Sequence, residues 1–546
     1  MSCTPWDLYV FRETRRSVEA RRLVDGLVRD VGAGRTDDAL VRAGEIESAV
    51  ADAGAPGGKA AMALTDALAA SLLGVRVCDR ARIVELARSL EDAGSMQVVP
   101  PESFSYYGLH PSEVAVRLAS PPFDDLRRVA VVGLRSIGTT MSAVVCAAVR
   151  ARGGSADRRT VRPGGAPYDR VTHLPLAEER WVRRQLSSGS HFVVVDEGPG
   201  LSGSSLLSVV DALTAAGVPR EAITLLCTRR PAPRSLLARD ADRRWSAVRV
   251  AIVPCAPRFP AGFAVIPPGS WRARFLAPGA RWPGCWAWLE RAKALSIDGR
   301  TLLKFEGLGR SGAEARARAT AVADAGFGPR ARSAGLGLVA YDVVGARRCA
   351  ERLDMAVIDR IAEYCAWRAL HLPATSVDTR ALGEMVRTNA AVALGLDLAA
   401  SPEVVRPVIA DARMMPHEWV DADGGVLLKT DAASHGDDHL FPGPTDVAWD
   451  LAGAIVEWRM PRAAMDRLLD GYARRTGDRA HPRLPAWLLA YALHRLGWLD
   501  MAASATDDPI ERARLLRESD GHRRWMRAAA RLGLFGKAAG ELATAA

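Results

Sequence analysis

Residues 192–206 read FVVVDEGPGLSGSSL, an apolar run that ends in two adjacent carboxylates, Asp196 and Glu197, and then passes through Gly, Pro and Ser into a helix-forming stretch. Consecutive large apolar residues bounded by turn formers are the pattern of a strand covered on both faces. The flanking sequence repeats it. RVAVVGL (128–134) comes before, AITLLCT (222–228) and VRVAIVP (248–254) come after, and TTMSAVVCAAVRARGG (139–154) and SSLLSVVDALTAAGVP (204–219) stand between them at helical spacing. Alternation of strand and helix predicts an α/β unit built on a parallel sheet, spanning residues 99–256.

The loop after the central run has a chemical use. At the carboxyl end of a parallel strand a ligand can occupy the crevice, and Gly and Ser let backbone N–H groups and hydroxyls surround a phosphate at the helix N-terminus. Asp196 and Glu197 would accept from sugar hydroxyls. The segment resembles the motif with which type I phosphoribosyltransferases bind phosphoribosyl pyrophosphate (PRPP). Gly200, Ser202, Gly203, Ser204 and Ser205 fall where that family cradles the 5-phosphate, although Gly198 to Leu201 puts four residues before the SGSS where the family has three. VAVVGLRSIGTTMSAVV (129–145) is similar to the family's pyrophosphate loop, with Arg135 as its basic residue and Ser136, Gly138 and Thr139 as donors. DRRTVRPGGAPYDRV (157–171) stands where the family has a mobile flap, offering Arg159, Arg162 and Tyr168.

That resemblance implies displacement of pyrophosphate by a small-molecule or nucleobase acceptor, through an oxocarbenium-like state stabilised by positioning and electrostatics. Asp196, Glu197 and Arg135 would carry the reaction, and the substrate's own oxygens would hold most of the magnesium shell. The acceptor would be chosen by a hood drawn from the helical leader and PESFSYYGLHPSEVA (101–115), where Tyr106, Tyr107 and His110 are candidates either to stack on a ring or to pack. A plain polar turn is the alternative reading of DEGPGLSGSS. GLSGS is not a nucleophile elbow, because Ser204 stands where a glycine is required.

A second unit is signalled by lysine scarcity. Only Lys59, Lys293, Lys304, Lys429 and Lys537 occur among 73 basic residues, as in a GC-rich bacterial genome, so a retained lysine needs a reason. Lys59 in GAPGGKA does not fit a phosphate loop. Lys304 lies in the β-run of LLKFEGLGRSGAEARARATAVADAGF (302–327), where Gly307, Gly309 and Gly312 spell GxGxxG. A dinucleotide fold would need an apolar first strand and a later acidic residue, and neither is present. A strand lysine, a helix carrying Glu314 and a second strand LGLVAYDVVG instead outline the small lobe of a kinase-like fold, with Lys304 pairing Glu314 over the nucleotide phosphates.

Downstream, residues 404–454 (VVRPVIADARMMPHEWVDADGGVLLKTDAASHGDDHLFPGPTDVAWDLAGA) are similar to the catalytic segment of aminoglycoside-phosphotransferase-like kinases. The resemblance makes Asp411 the catalytic aspartate, His417 and Asp431 the metal ligands and Asp450 a structural aspartate, with ATP as co-substrate and Mg2+ as cofactor. Ile409 replaces the family's His two residues before Asp411, and His417 stands one residue from the family's Asn. His435 with Asp437 as the catalytic pair is a competing assignment, but Asp446 then follows by only nine residues, too close for the intervening strands, so Asp411 with Asp431 is preferred; His435, Asp437, Asp438 and His439 stay open as a separate metal site.

The 546 residues, 49% hydrophobic and 25% charged, exclude wholesale disorder, and no apolar run is long enough to span a membrane. A net charge of +10 on so long a chain points to small anionic substrates rather than nucleic acid. Eight cysteines without a CxxC, and an opening MSCTPWDLYVFRETRR without the order of a secretion signal, fit a reducing cytoplasm. The expected organisation is a helical leader (1–98), the phosphoribosyltransferase-like domain (99–256), a packed connection rich in Pro, Gly and Trp (257–299) and a two-lobed α+β kinase-like domain (300–546) with a helical C-terminal part and a frayed tail. Trp419, Trp449 and Trp458 are expected in its core. The expected function is PRPP-dependent phosphoribosyl transfer joined to an ATP-dependent small-molecule kinase-like activity. The alternative is a regulatory sensor of PRPP or a nucleotide with an inactive kinase-like scaffold; oligomeric state is not legible.

Overall fold

In the computed structural model, which describes residues 16–538 apart from 76–78, 122, 124–125, 167, 201, 345–346, 349–352, 376, 399–401, 423–424, 438–439 and 442, the apolar runs of the first half form one parallel sheet. Its strands are β1 (Arg128–Leu134), β2 (Ser155–Val161), β3 (His191–Val195), β4 (Ile223–Cys227) and β5 (Arg249–Ile252), in the spatial order β2-β1-β3-β4-β5. All neighbours run parallel. Helices cover both faces, which is why β3 carries Phe192 to Val195 without a polar residue and all four are buried. Chain connectivity reverses direction between β1 and β3, so a crevice opens at the carboxyl ends of these two strands.

The first Gly/Ser loop is pressed onto the end of β3. A Cβ on Gly138 would stand 2.3 Å from the carbonyl oxygen of Val195, and one on Gly133 would stand 2.3 Å from that of Gly138. Only glycine permits such an approach of backbone to backbone.

Among the described residues five α-helices precede the sheet: α1 (Ala20–Gly32), α2 (Thr36–Ala53), α3 (Gly58–Leu72), α4 (Arg80–Arg88) and the short helix Pro111–Leu118. Helix α2 is buried from Asp38 to Val50, because it is packed among α1, α3, the helix Ile137–Ala151 that covers the parallel sheet and the helix Gly309–Asp324 that lies beside a second sheet further along the chain. Its carboxylates therefore enter the interior, and each meets an arginine. Glu47 accepts from both terminal nitrogens of Arg158 at 2.7 and 2.9 Å, and Asp66 of α3 accepts from Arg158 Nε at 2.6 Å. On another face Glu45 accepts from Arg310 at 2.7 Å, and Asp38 from Arg316 at 2.6 Å and from the N–H of Gly309 at 2.8 Å.

The second sheet is antiparallel and ordered β6-β7-β8-β10-β9, from β6 (Phe263–Ile266), β7 (Lys293–Ser296), β8 (Thr301–Phe305), β9 (Ala331–Gly335) and β10 (Leu338–Asp342). Residues 257–299 are thus more than a connection, since two of these strands come from them. Helix α7 (Gly309–Asp324; α5 is Ile137–Ala151 and α6 Ser204–Ala215) packs beside this sheet. A helical lobe follows, with the hairpin β11 (Trp419–Ala422) and β12 (Val426–Lys429) at its edge. The helix Leu484–Ala505 is apolar on all sides and is central to that lobe, packed with Trp449 and Trp487 in one core. Trp419, Trp449 and Trp458 are buried there. Among the described residues no helix is long and apolar enough to cross a membrane.

Because Arg158 is wholly buried, Glu47→Ala leaves its guanidinium with Asp66 as its remaining charged partner. The expected loss is roughly 3–5 kcal/mol, as for other buried pairs broken on one side, read from denaturant unfolding. Glu85→Ala, which breaks the exposed Arg82–Glu85 pair, should cost less than about 1 kcal/mol.

Candidate functional site

Between the antiparallel sheet and the helical lobe lies a cavity of about 230 Å3. Leu302, Lys304 and Tyr341 form its roof, Asp342 to Val344 one edge, and Glu418, Val420, Thr430, Asp431 and His435 its floor. Lys304 and Asp431 face each other across it and form an ion pair. Lys304 is buried to 4% exposure, so its charge needs close partners, and the second is Glu306 at 3.1 Å. Glu306 in turn accepts from Tyr341 Oη at 2.8 Å and Ser434 Oγ at 2.6 Å.

Glu314 does not pair with Lys304 in this structure. It lies 3.3 Å from Arg310 and 3.6 Å from Arg16, with its side chain 42% exposed. The cause is the anchorage of α7: Arg310 and Arg316 bind α2, while Arg318 pairs with Asp437 and donates to the carbonyl of Ala433 at 2.8 Å. Glu306 sits two residues after Lys304, on the same face of the strand, and supplies the carboxylate instead.

The Asp411 backbone is fixed by Asp450, whose carboxylate accepts the N–H groups of Asp411 at 2.9 Å and Ala412 at 3.0 Å. Ala412 holds φ at +77°. The Asp411 carboxylate accepts from Tyr364 Oη at 2.5 Å and lies 3.3 Å from Lys429 Nζ. Lys429 also donates to Glu418 at 2.8 Å. His435 stands among three carboxylates, with Nδ1 3.5 Å from Asp411 and Nε2 3.1 Å from Asp431 and 3.6 Å from Glu418. Burial alone would raise the Asp411 carboxyl, but Lys429, His435 and Arg368 hold it below its ordinary range. Burial alone would lower His435, and Asp431 and Glu418 reverse that and raise it.

His417 is not part of this cluster. It stacks on Trp271, ring centroids 5.4 Å apart, on the cavity wall. Its neighbour Glu418, the last residue of the same 3-10 turn (Pro416–Glu418), reaches Lys429 and His435 instead. For magnesium, Asp431 and Glu418 are an oxygen pair on the cavity floor and suit a hard cation, whereas His417 does not. Asp411, Glu418 and His435 bring ligand atoms within 4.8 Å of one another, but Lys429 already bridges the first two. Of the residues proposed as a separate metal cluster, His435 joins these carboxylates and Asp437 turns to Arg318; Asp438 and His439 lie outside the described residues. His435 and Asp437 thus have different charged partners. Glu306, Glu418 and the place of Lys429 were missed in the sequence. The available signal was lysine scarcity, since Lys293 and Lys304 line the cavity and Lys429 lies at its base.

The crevice between β1 and β3 brings the two Gly/Ser loops side by side. Arg135 donates to Asp52 of α2 at 2.9 Å, and Arg162 pairs with the same carboxylate. Burial would raise Asp52, but Arg162 and then Arg135 outweigh it and hold it low. Ser136 adopts φ +103°, rare for a side-chain-bearing residue, and its N–H is accepted by Ser48 Oγ at 3.2 Å. Thr139 is fully buried with its hydroxyl 2.9 Å from that of Ser48, so it supports the loop and does not face the crevice. In the second loop Gly203 takes φ +68° immediately before α6, and the Ser202 hydroxyl accepts the N–H of Ser204 at 3.2 Å. Gly200 is exposed and Ser205 half-buried. Burial pushes the Asp196 carboxyl up to about 7, and Glu197 beside it is half-buried.

One flap candidate turns aside, and the hood candidates take the packing alternative. Arg159 lies over the ring of Trp181 at 5.2 Å, away from the crevice. Tyr168, on the hairpin of Gly164–Ala166 and Asp169–Val171, is 46% exposed. Tyr106 donates to the carbonyl of Asp437 at 2.6 Å, Tyr107 stacks on Trp288, and His110 caps its own helix through Ser112, so all three pack and do not form a ring-stacking hood.

No protein-family model matches the chain, and no curated protein matches it. Among solved structures, choline kinase LicA from Streptococcus pneumoniae aligns with 42% of this chain and 88% of its own, at 13% identity and a TM-score of 0.27. A choline/ethanolamine kinase family protein from Mesorhizobium loti covers 46% and 89%, at 15% identity and TM-score 0.32. The macrolide 2'-phosphotransferase MphH from Brachybacterium faecium covers 41% and 86%, at 17% identity and TM-score 0.29. Scores this low leave the reading of the cleft to its own residues.

Since the folded-state value of Asp196 lies above its ordinary one, ionising it opposes folding, and the penalty sets in between about pH 4 and about 7. Asp196→Asn should therefore match the parent in thermal unfolding near pH 4 and exceed it at pH 8. At the neighbouring arginines, Asp52→Asn should raise affinity for inorganic pyrophosphate several-fold in calorimetry, because an anion no longer displaces a carboxylate. Unchanged affinity would count against Arg135 and Arg162 as an anion site.

Proposed function

We propose that the chain is a transferase for phosphorylated small molecules: it carries out PRPP-dependent phosphoribosyl transfer in the β1/β3 crevice and binds ATP in the interlobe cleft for a small-molecule kinase-like activity. The observation that carries the first half is the meeting of both loops, with Arg135 and Arg162, at the carboxyl ends of two adjacent parallel strands where connectivity reverses. Ser202, Gly203, Ser204 and Ser205 would take the 5-phosphate, Arg135 and Arg162 the pyrophosphate, and Asp196 and Glu197 the ribose hydroxyls. Fixed charges of this kind favour a transition state in which negative charge builds on the departing pyrophosphate.

In the cleft, Lys304 would meet the nucleotide phosphates, and Asp431 with Glu418 would hold magnesium, which neutralises phosphate charge when bound. Glu306 keeps Lys304 in place from its own strand, independently of α7. Lys429 and Tyr364 hold the Asp411 carboxylate.

A second reading, a nucleotide sensor with an inactive kinase-like scaffold, is favoured by one feature of that aspartate. Asp411 has no exposed side-chain surface, does not line the cavity and is neutralised by Lys429 and Arg368. Labelled PRPP separates the possibilities: pyrophosphate release with one of a panel of heterocycles supports transfer, and saturable binding without release supports sensing. In the cleft, Asp431→Ala should abolish magnesium-dependent ATP binding. Asp411→Ala should keep binding and lose any transfer; a parent protein that binds ATP without turnover favours the sensor.

A further inference from the structure

The interlobe cavity has an aromatic end, walled by Trp271 and Trp286 from the stretch after β6, by Trp498 and Arg495 from the helix Leu484–Ala505, and by Arg413 from the loop after Asp411. Aromatic faces dominate this end: Trp286 meets Trp498 edge-on at 5.7 Å, and the guanidinium groups of Arg413 and Arg495 lie over the Trp498 ring at 4.9 and 5.0 Å.

The charges on these walls do not balance. Lys304 is matched by Asp431 and Glu306, Lys293 by Glu290, and Arg495 by Glu457 at 2.7 Å. Arg413 is half-buried, and among the described residues no carboxylate lies within ion-pair distance of its guanidinium. A partly buried guanidinium stacked on an indole, with no counter-charge among the described residues, is presented for an anion, and its planar fork suits carboxylate or phosphate. A cationic ligand would meet two guanidinium groups there, and a neutral one would leave Arg413 unmatched.

We propose that this end of the cleft is a subsite for a small molecule with a flat apolar body and one anionic group, a carboxylate or a phosphate, with Arg413 reading the charge and the tryptophans the body. The identification of that molecule as the partner of a nucleotide rests on the proposed ATP site, while the charge preference rests on Arg413 alone.

The test uses the full chain and four probes: 4-hydroxybenzoate, phenyl phosphate, 4-hydroxybenzamide and 4-hydroxybenzylamine. Binding is followed by tryptophan fluorescence, with magnesium-ATP affinity measured separately by calorimetry. At least one anion should bind tenfold or more tighter than the amide and the amine, and the stronger of the two identifies carboxylate or phosphate as the group recognised. Arg413→Met should erase the preference with ATP affinity unchanged, and Arg413→Lys should keep part of it, which separates lost charge from lost folding. The proposal is overturned if the amide or amine binds as tightly, if the preference survives in Arg413→Met, if magnesium-ATP displaces the anion competitively, or if no probe saturates at millimolar concentration. Anion binding lost in Arg413→Met, in a chain that does not bind ATP, would uphold the subsite and remove the nucleotide reading.

Discussion

The burial of helix α2 with its charges is the constraint on which the rest of the chain depends. A helix surrounded by the helices that cover two sheets must bury every side it presents, and α2 brings Asp38, Glu45 and Glu47 inside with it. Charges withdrawn from water are tolerated only with close, well-oriented partners. Those partners come from both directions: Arg158 from the parallel sheet, and Arg310 and Arg316 from the helix beside the antiparallel sheet. The two sheets are therefore joined through one helix, and their relative placement is set by arginine–carboxylate geometry as well as by apolar packing.

The same helix reaches both candidate sites. Its C-terminal part supplies Ser48 and Asp52 to the loop and arginines of the β1/β3 crevice, and its N-terminal part holds the start of α7 beside the cleft. With α7 committed to α2, Lys304 has its structural partner on its own strand. In this arrangement the lysine is positioned by Glu306, Tyr341 and Ser434, and its geometry is insensitive to where Glu314 points.

Charge bookkeeping also shapes the cleft floor. Asp411, Glu418 and Asp431 are gathered around His435, with Lys429 beneath and Lys304 above. Protein cations stand beside Asp411, Glu418 and Asp431 alike; Asp411 is fully buried, while Asp431 lines the cavity. Arg413, two residues after Asp411, is the cation at the other end that this balancing leaves without an acidic partner among the described residues.

The parallel strands, the helices between them, the two Gly/Ser loops, a structural role for Asp450 and the placing of Lys304 opposite Asp431 were legible in the residue pattern. Apolar runs, turn formers and a scarce lysine are local signals, and the forces behind them act over a few residues. The partner of each buried charge was not legible. Lys304 pairs with Glu306 and not Glu314, His417 stacks on Trp271, and Thr139 supports its loop from within, because a side chain's partner depends on which surfaces meet across hundreds of residues. Sequence spacing sets which face of an element a residue shares. Only the tertiary structure decides what that face is pressed against, and in this chain a buried helix rich in carboxylates made that decision.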